Sequence, residues 1–312
     1  AAHYLGLTSP NDIGQRLINL VRHPAFSHHL TQGDYSSTLE LPSPADETVI
    51  LEVNIIPYGG KNQNLLIARD ITRIKRLESM RKDFVANVSH ELRTPLTVLS
   101  GTLETISDAD DSETLATWRR SLNYMQQHTM RMQSIVDDLL MISKLEADDH
   151  QQDHHPVSLS ALLSTVYDEA LVLSDSQHEI KLDITPSLWL LGDENELHSA
   201  FSNLVANAIR YSPAGGVVVI KCQQQDDGGI LFCVKDDGIG IAPHHIQRLT
   251  ERFYRIDTGR SRDSGGTGLG LAIVKHVLDR HDARMEISSR VEKGSEFCCY
   301  FPASRRCSAA LS

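Results

Sequence analysis

The sequence predicts a multidomain α+β chain: a small α/β module, an antiparallel helical hairpin that pairs into a dimeric four-helix bundle, and a C-terminal α/β sandwich. Three observations carry this. The chain has 312 residues, and at roughly 100–200 residues per domain that length holds two or three domains, each able to bury a core. Its apolar period changes twice, from strand-like runs before Ile71, to a sustained three-and-four spacing up to Leu145, to alternating helical and strand-like runs beyond. Its composition, 40% hydrophobic, 23% charged and 5% aromatic, is that of an ordinary globular protein and excludes a fibre or wholesale disorder.

The first module spans residues 1–72. A helical pattern over 12–21 precedes strand-like runs at 48–56 and 65–68, and the turn signal Pro57-Tyr-Gly-Gly-Lys-Asn62 between them marks a hairpin. Residues 73–148 are helical. Leu115, Trp118, Leu122, Met125, Thr129, Met132, Val136 and Leu139 recur at alternating spacings of three and four, a bundle seam of more than three heptads. The preceding segment carries its own apolar stripe, including Phe84, Val88, Leu92 and Leu99, and an acidic break at Ser107-Asp-Ala-Asp-Asp-Ser112 separates the two. Two helices with seams this long cannot cover each other, so a second hairpin is the natural completion. The polar stretch 147–156 follows as a solvated linker. Its His150, His154 and His155 fall on no period that would make them converging metal ligands. The last domain, 153–304, alternates helices (159–173, 194–211) with strands (217–222, 230–234, 285–289, 295–301).

Charge and cysteine content bound the function. With 30 Lys+Arg against 41 Asp+Glu the formal charge is −11, so the bulk surface repels phosphate backbones and nucleic acid is not expected as a partner. An anionic nucleotide needs a local exception, which Arg260 and Arg262 in the polar segment after Arg255 could supply. The five cysteines, Cys222, Cys233, Cys298, Cys299 and Cys307, are odd in number and form no CxxC pair. They read as small buried hydrophobes in a reduced compartment, without a zinc signature. No apolar run reaches the roughly 18–20 residues of a membrane span, and no signal peptide opens the chain.

Chemistry concentrates in two places. In Phe84-Val-Ala-Asn-Val-Ser-His-Glu-Leu-Arg-Thr-Pro-Leu96, Val88 and Leu92 lie on the seam, so His90, about 200° round from Val88, turns away from the core. A neutral imidazole can attack a phosphorus centre, and the adjacent Glu91 can hold the ring proton. Thr94, one turn on, could position a water, and Pro95 removes a backbone donor and should loosen the helix at His90. Further on, Asn203 and Asn207 stand one helical turn apart in Asn203-Leu-Val-Ala-Asn207-Ala-Ile-Arg210-Tyr211, and amide oxygens suit Mg2+. Asp236, at a strand end before Gly238 and Gly240, could accept the exocyclic amine of adenine. Phe253-Tyr-Arg255 offers a cation to phosphate. Gly266-Thr267-Gly268-Leu269-Gly270 precedes a helix whose first amides can cradle phosphates. Its spacing is neither a Rossmann fingerprint nor a Walker A loop.

His-Glu-Leu-Arg-Thr-Pro-Leu within a helical hairpin resembles the H box of sensor histidine kinases, and the later motifs resemble that family's N, G1, F and G2 boxes in order. The match spans His90 to Lys275, about three-quarters of the chain being similar to the family. It implies a sandwich of the kind shared with Hsp90-type chaperones, gyrase-type topoisomerases and MutL-type ATPases. It further implies a homodimer that uses ATP with Mg2+ to phosphorylate His90 and then passes the phosphoryl group to an aspartate of a response regulator. By resemblance, Glu91 is the base, Thr94 orients water for phosphatase activity on the regulator, and Asn203 and Asn207 hold Mg2+. Arg210, Tyr211, Asp236, Gly238, Gly240, Phe253, Arg255 and Gly266 to Gly270 bind nucleotide, and the polar segment between Arg255 and Gly265 is a lid. Arg210 departs from the lysine that many members carry. Ala68-Arg-Asp-Ile-Thr72 resembles the exit of a PAS sensory domain, here shortened at its front. Members of this kind carry membrane helices ahead of that domain. A start at Ala1 rather than Met is therefore expected of a cytoplasmic portion whose native protein is anchored in the bacterial inner membrane. A non-kinase ATPase of the same fold and a nucleotide-binding scaffold are the alternatives.

Overall fold

In the computed structural model, which describes residues 17–33, 35, 37–57, 63–107, 115–147, 154–256 and 266–308, the chain divides within one long helix into a unit of residues 1–87 and a unit of residues 88–312. The first unit begins with helices α1 (Leu17–Leu20) and α2 (Pro24–Gln32) and strands β1 (Leu39–Pro42), β2 (Ile50–Pro57) and β3 (Asn64–Asp70). The strands form an antiparallel sheet in the order β1-β2-β3. Alternation along β2 turns Leu51, Val53 and Ile55 inward, against Val21 and Phe26 from the helical side and Leu41 of β1. Both expected strands are present. Helix α2 escapes the periodicity reading because it is one short amphipathic run, opened by Pro24 at its first turn and closed by Gly33 at φ +69°. The remainder of the expected 12–21 helix, the turn at 58–62 and residues 1–16 lie outside the described residues.

The joint from β3 into helix α3 (Thr72–Ser107) is built by the Ala68-Arg-Asp-Ile-Thr72 run. Asp70 Oδ1 accepts from the Thr72 backbone N–H (2.9 Å) and hydroxyl (2.6 Å), while Thr72 Oγ1 accepts from the Ile50 N–H (2.8 Å). The Asp70 side chain thus satisfies an orphan donor in the first turn of the helix, and the threonine ties that turn to the start of β2. The Thr72 hydrogen bonds hold the Asp70 carboxyl below its ordinary value.

In the second unit α3 continues beside α4 (Leu115–Ala147). The side chains that α4 withdraws from solvent include Trp118, Ser121, Met125, His128, Met132, Ile135, Leu139, Ile142 and Leu145, again spaced by three and four, with Arg131, Asp138 and Met141 beside them. Four of the expected seam residues lie in this stripe: Trp118, Met125, Met132 and Leu139. Leu122, Thr129 and Val136 do not; they stand exposed one position over. Where the spacing implies one seam, the helix has two adjacent faces, a partly covered one and an uncovered apolar one. The Leu115 side chain and residues 108–114, which contain most of the acidic break, lie outside the described residues.

After α4 come β4 (His155–Ser158), α5 (Leu159–Ser174), β5 (Glu179–Ile184), β6 (Trp189–Gly192), α6 (Glu194–Tyr211), β7 (Val217–Gln224), β8 (Ile230–Asp236), α7 (Pro243–Ile246), α8 (Gly270–Arg280), β9 (Arg284–Arg290), β10 (Gly294–Phe301) and β11 (Arg306–Cys307). The main sheet runs β5-β7-β8-β10-β9, with β5 parallel to β7 and the other pairs antiparallel; β11-β6-β4 form a small second sheet. Leu163 and Val166 of α5, Phe201 and Leu204 of α6, and Ile273 and Val277 of α8 bury against Ile220, Phe232, Val234 and Phe301 of the sheet. Phe201 stacks on Phe232 with ring centroids 4.0 Å apart.

The linker reading of 147–156 needs correction. His155 opens β4, paired with Gly192 of β6, and His154 packs on His281 with ring centroids 4.6 Å apart while its Nδ1 meets Arg305 Nη1 at 2.6 Å. Polar composition hid this because a four-residue strand leaves almost no period to read. His150 lies outside the described residues.

Candidate functional site

On α3, His90 is exposed, as the seam spacing predicts. Glu91 does not engage it: Arg131 Nη2 of α4 donates to Glu91 Oε2 at 2.9 Å across the hairpin. The Thr94 hydroxyl donates back to the His90 carbonyl at 3.2 Å, the local bond that threonine commonly makes inside a helix. Pro95 is buried, and α3 continues through it to Ser107. With no proline N–H, the Glu91 carbonyl loses its helical donor.

The nucleotide-type motifs gather around one edge of α6. Asp193 caps that helix, its Oδ1 accepting from Glu196 N–H at 3.0 Å, and the face that includes Leu197, Phe201, Leu204 and Ala208 is buried. Asn203, Asn207 and Arg210, at i, i+4 and i+7, therefore share the stripe beside that buried face. Asn203 donates its Nδ2 to the Ser199 carbonyl at 2.9 Å, which fixes the amide and presents Oδ1 toward the start of α8. A Cβ on Gly270 would sit 2.3 Å from that oxygen, so glycine is required for the approach. Asn207 Oδ1 accepts from Arg210 Nη1 at 3.3 Å. Burial lowers the Arg210 guanidinium from its ordinary value.

The G2 segment is held from both sides. Arg255 Nη1 donates to the Gly266 carbonyl at 2.8 Å, and the Phe253 N–H donates to the Gly268 carbonyl at 2.8 Å. Gly268 adopts φ +72° and a Cβ there would meet the Phe253 Cα at 2.8 Å, so this crossing of two chain segments admits no side chain. Leu269 is fully buried and its N–H donates to Thr267 Oγ1 at 3.2 Å. Asp236 ends β8 almost completely buried; its Oδ1 accepts from the Gly238 N–H (2.8 Å) and the Ser295 N–H (3.1 Å). Burial pushes its carboxyl up, and those two hydrogen bonds oppose the shift. Both bonds fall on Oδ1. Tyr211 contributes its carbonyl, which accepts from the Ile239 N–H at 3.3 Å, and Gly240 has φ +66°. The segment expected to be a lid, with Arg260 and Arg262, lies outside the described residues.

Three α4 side chains that the motifs did not single out reach this region. Asp138 Oδ2 accepts from the Thr267 hydroxyl at 2.8 Å, and burial raises the Asp138 carboxyl against that bond. Glu146 pairs with Arg252 beside the F box. Arg131 holds Glu91. The signal was present: an acid on the half-buried stripe of a helix needs a partner, and Asp138 stands next to Leu139 on that stripe.

His154, Glu196 and His281 have the composition of a metal site, but His281 has no lone pair to give. Its Nδ1 faces the Val277 carbonyl at 2.8 Å and must donate, so its Nε2 accepts from the Asp193 N–H at 3.1 Å. The ring is a neutral structural link with a depressed pKa of about 4, chiefly from burial.

The cysteine reading also changes. Cys222 and Cys299 are buried hydrophobes, as expected, with thiols pushed up to about 12 by burial. Cys233 and Cys298, however, are joined as a disulfide between β8 and β10. Sequence separation of 65 residues concealed the pair.

Comparison with known proteins agrees with this geometry. Residues 80–148 match the His Kinase A (phospho-acceptor) domain, and residues 192–305 match the histidine kinase-, DNA gyrase B- and HSP90-like ATPase. The chain belongs to the sensor histidine kinases of two-component systems. Within them it is a homologue of the phosphate regulon sensor protein PhoR: it is 51% identical to that of Pseudomonas aeruginosa over 302 residues, covering 96% of this chain and 68% of the relative. It is 39% identical to PhoR of Haemophilus influenzae, covering 81% of this chain and 58% of that one. Among solved structures, full-length ShkA in complex with AMPPNP is 26% identical with a TM-score of 0.53, over 73% of this chain and 47% of that one. No helix among the described residues is long and apolar enough to cross a membrane.

Proposed function

We propose that this chain phosphorylates itself on His90 from ATP and passes the phosphoryl group to an aspartate of a PhoB-like response regulator. The observation that supports it best is the pairing of an exposed imidazole on a helical hairpin with a glycine-backed cradle that the same hairpin touches through Asp138 and Thr267. A neutral ring nitrogen of His90 attacks the γ-phosphorus as the bond to the ADP oxygen breaks. Glu91 takes the ring proton through Oε1 while Arg131 holds Oε2. Asp236 Oδ2 accepts the adenine amine, and Arg210, Arg255 and the first amides of α8 meet the phosphates. Asn203 Oδ1, a hard oxygen free of the Ser199 bond, fits Mg2+; Asn207 fits it once Arg210 turns to phosphate. The ion would neutralise charge on the phosphates. Thr94 orients water for hydrolysis of the phosphorylated regulator. The exposed apolar faces of α3 and α4 form the core of a dimeric four-helix bundle, and residues 1–72 serve as a PAS-like input module ahead of hairpin 73–148 and catalytic domain 153–304.

Labelling with γ-³²P-ATP tests the reading. Acid-labile, base-stable label on the wild type, absent from His90→Gln although that variant binds nucleotide normally, is expected. Label that survives His90→Gln overturns it. Equal phosphotransfer rates to PhoB-like and unrelated regulators would overturn the partner assignment alone.

A further inference from the structure

Outside the kinase chemistry, the outer face of the main sheet carries the joined cysteines in register. β8 and β10 pair antiparallel with Cys233 opposite Cys298, Cα atoms 4.1 Å apart. Alternation settles which face they occupy. In β8, Phe232 and Val234 enter the core, so Cys233 shares the other face with Leu231 and Lys235. In β10, Phe297 and Cys299 enter the core, so Cys298 lies with Glu296 and Tyr300. The row continues to exposed Lys221 of β7, opposite Cys233, and exposed Glu286 of β9, opposite Cys298. Cys298 is partly exposed and Cys233 is covered, which sets an order: Cys298 meets the oxidant first, and Cys233 resolves.

The position gives the pair a consequence. The 65-residue separation between these cysteines encloses Asp236, Gly238 and Gly240, the F box, and Thr267 through Gly270. Asp236 is three residues beyond Cys233 on β8, and Ser295, which donates to it, is three residues before Cys298 on β10. One covalent link therefore closes the loop that carries every nucleotide motif except that on α6.

We propose that Cys233 and Cys298 form a reversible thiol–disulfide site, oxidised by low-molecular-weight disulfides such as oxidised glutathione, that locks the nucleotide-binding loop against opening. The Cys298 thiolate attacks the glutathione disulfide, forming a mixed disulfide and releasing one glutathione thiol. The Cys233 thiolate then displaces the second, so the protein loses two electrons and two protons and one disulfide becomes two thiols. Closure acts mainly on the opened chain, since seven residue pairs already hold β8 to β10. It therefore raises resistance to unfolding and leaves nucleotide affinity nearly unchanged.

The test uses the full chain, reduced and then equilibrated with oxidised glutathione. Thiols titrated under denaturing conditions should fall from five to three, with a Cys233–Cys298 peptide in the digest. The melting temperature of the nucleotide-binding part should rise by about 5–10 °C, proteolysis between residues 237 and 294 should slow, and affinity for a fluorescent ATP analogue should move less than about twofold. Cys298→Ser and, separately, Cys233→Ser should abolish the shift, whereas Cys307→Ser should keep it. No linked peptide in the wild type, or an equal shift in Cys298→Ser, overturns the proposal. If either variant folds poorly, reduced and oxidised wild type compared by thiol titration and melting still decide it.

Discussion

The helical hairpin and the α/β sandwich of the second unit solve the burial problem differently. In the sandwich, Phe201, Phe232 and Phe301 are essentially inaccessible and pack on one another between α6 and the sheet. Among the described residues the hairpin buries few, Pro95, Ile135, Ile142 and Leu145, and the last two belong to the sandwich's core, while Leu103, Leu122 and Leu140 are each more than half exposed. The sandwich draws nearly all of its core from its own helices and sheet, with Ile142 and Leu145 at the end of α4 added to it. A hairpin with an uncovered apolar face does not, and its stability depends on whatever covers it. A folded catalytic domain and a conditional phospho-acceptor can therefore coexist in one chain.

The largest expected effect lies on the uncovered face. Leu122→Lys with Val136→Lys should weaken the dimer by roughly 1000-fold, because two unpaired charges per subunit would be buried at a cost on the order of 4 kcal/mol or more. Light scattering after size-exclusion chromatography should show a monomer that still binds nucleotide. A persistent dimer would remove this face from the interface and with it the contrast between the two regions.

Next comes a pH effect confined to the sandwich. His281 is depressed from 6.5 to about 4 in the folded protein, so between those values the unfolded chain binds the proton and the native ring does not. Its contribution is complete above pH 6.5 and is lost as pH falls toward 4, up to about 3 kcal/mol. The urea midpoint of the sandwich should drop from pH 7 to pH 5, and the His281 ring should titrate near 4 by NMR. A ring that titrates near 6.5 would contradict the neutral bridge between Val277 and Asp193.

Smallest is the effect of one bond between the two regions, that of Asp138 with Thr267. Asp138→Ala and Thr267→Val should each cost about 1 kcal/mol and be non-additive in a double-mutant cycle on urea unfolding. Strict additivity would mean that Asp138 and Thr267 are not coupled in the folded protein.

What the sequence revealed follows from how each signal is encoded. Helix α6 was legible to the residue, since an acidic cap and an amphipathic face of 18 residues define both ends. The core strands β7 to β10 were legible as apolar runs bounded by turns. β4 and β6, four residues each, were not, because so short a strand is fixed by its partners. The same divide runs through the site. Glycines, paired asparagines and Asp236 could be placed by motif, whereas Arg131 on Glu91, Asp138 on Thr267 and Cys233 with Cys298 arise from approaches between distant segments. No local pattern records those approaches.

The placement of β10 bears on synthesis. It is hydrogen-bonded on both sides, to β8 and to β9, yet it is nearly the last strand described. A nascent chain that has emerged only through β9 lacks the interior rung of its sheet and the Ser295 amide that pins Asp236. The sheet is therefore completed only once β10 has been made, and its non-local pairings close slowly. Until β10 has been made, Asp236 lacks one of the two backbone amides that hold its Oδ1.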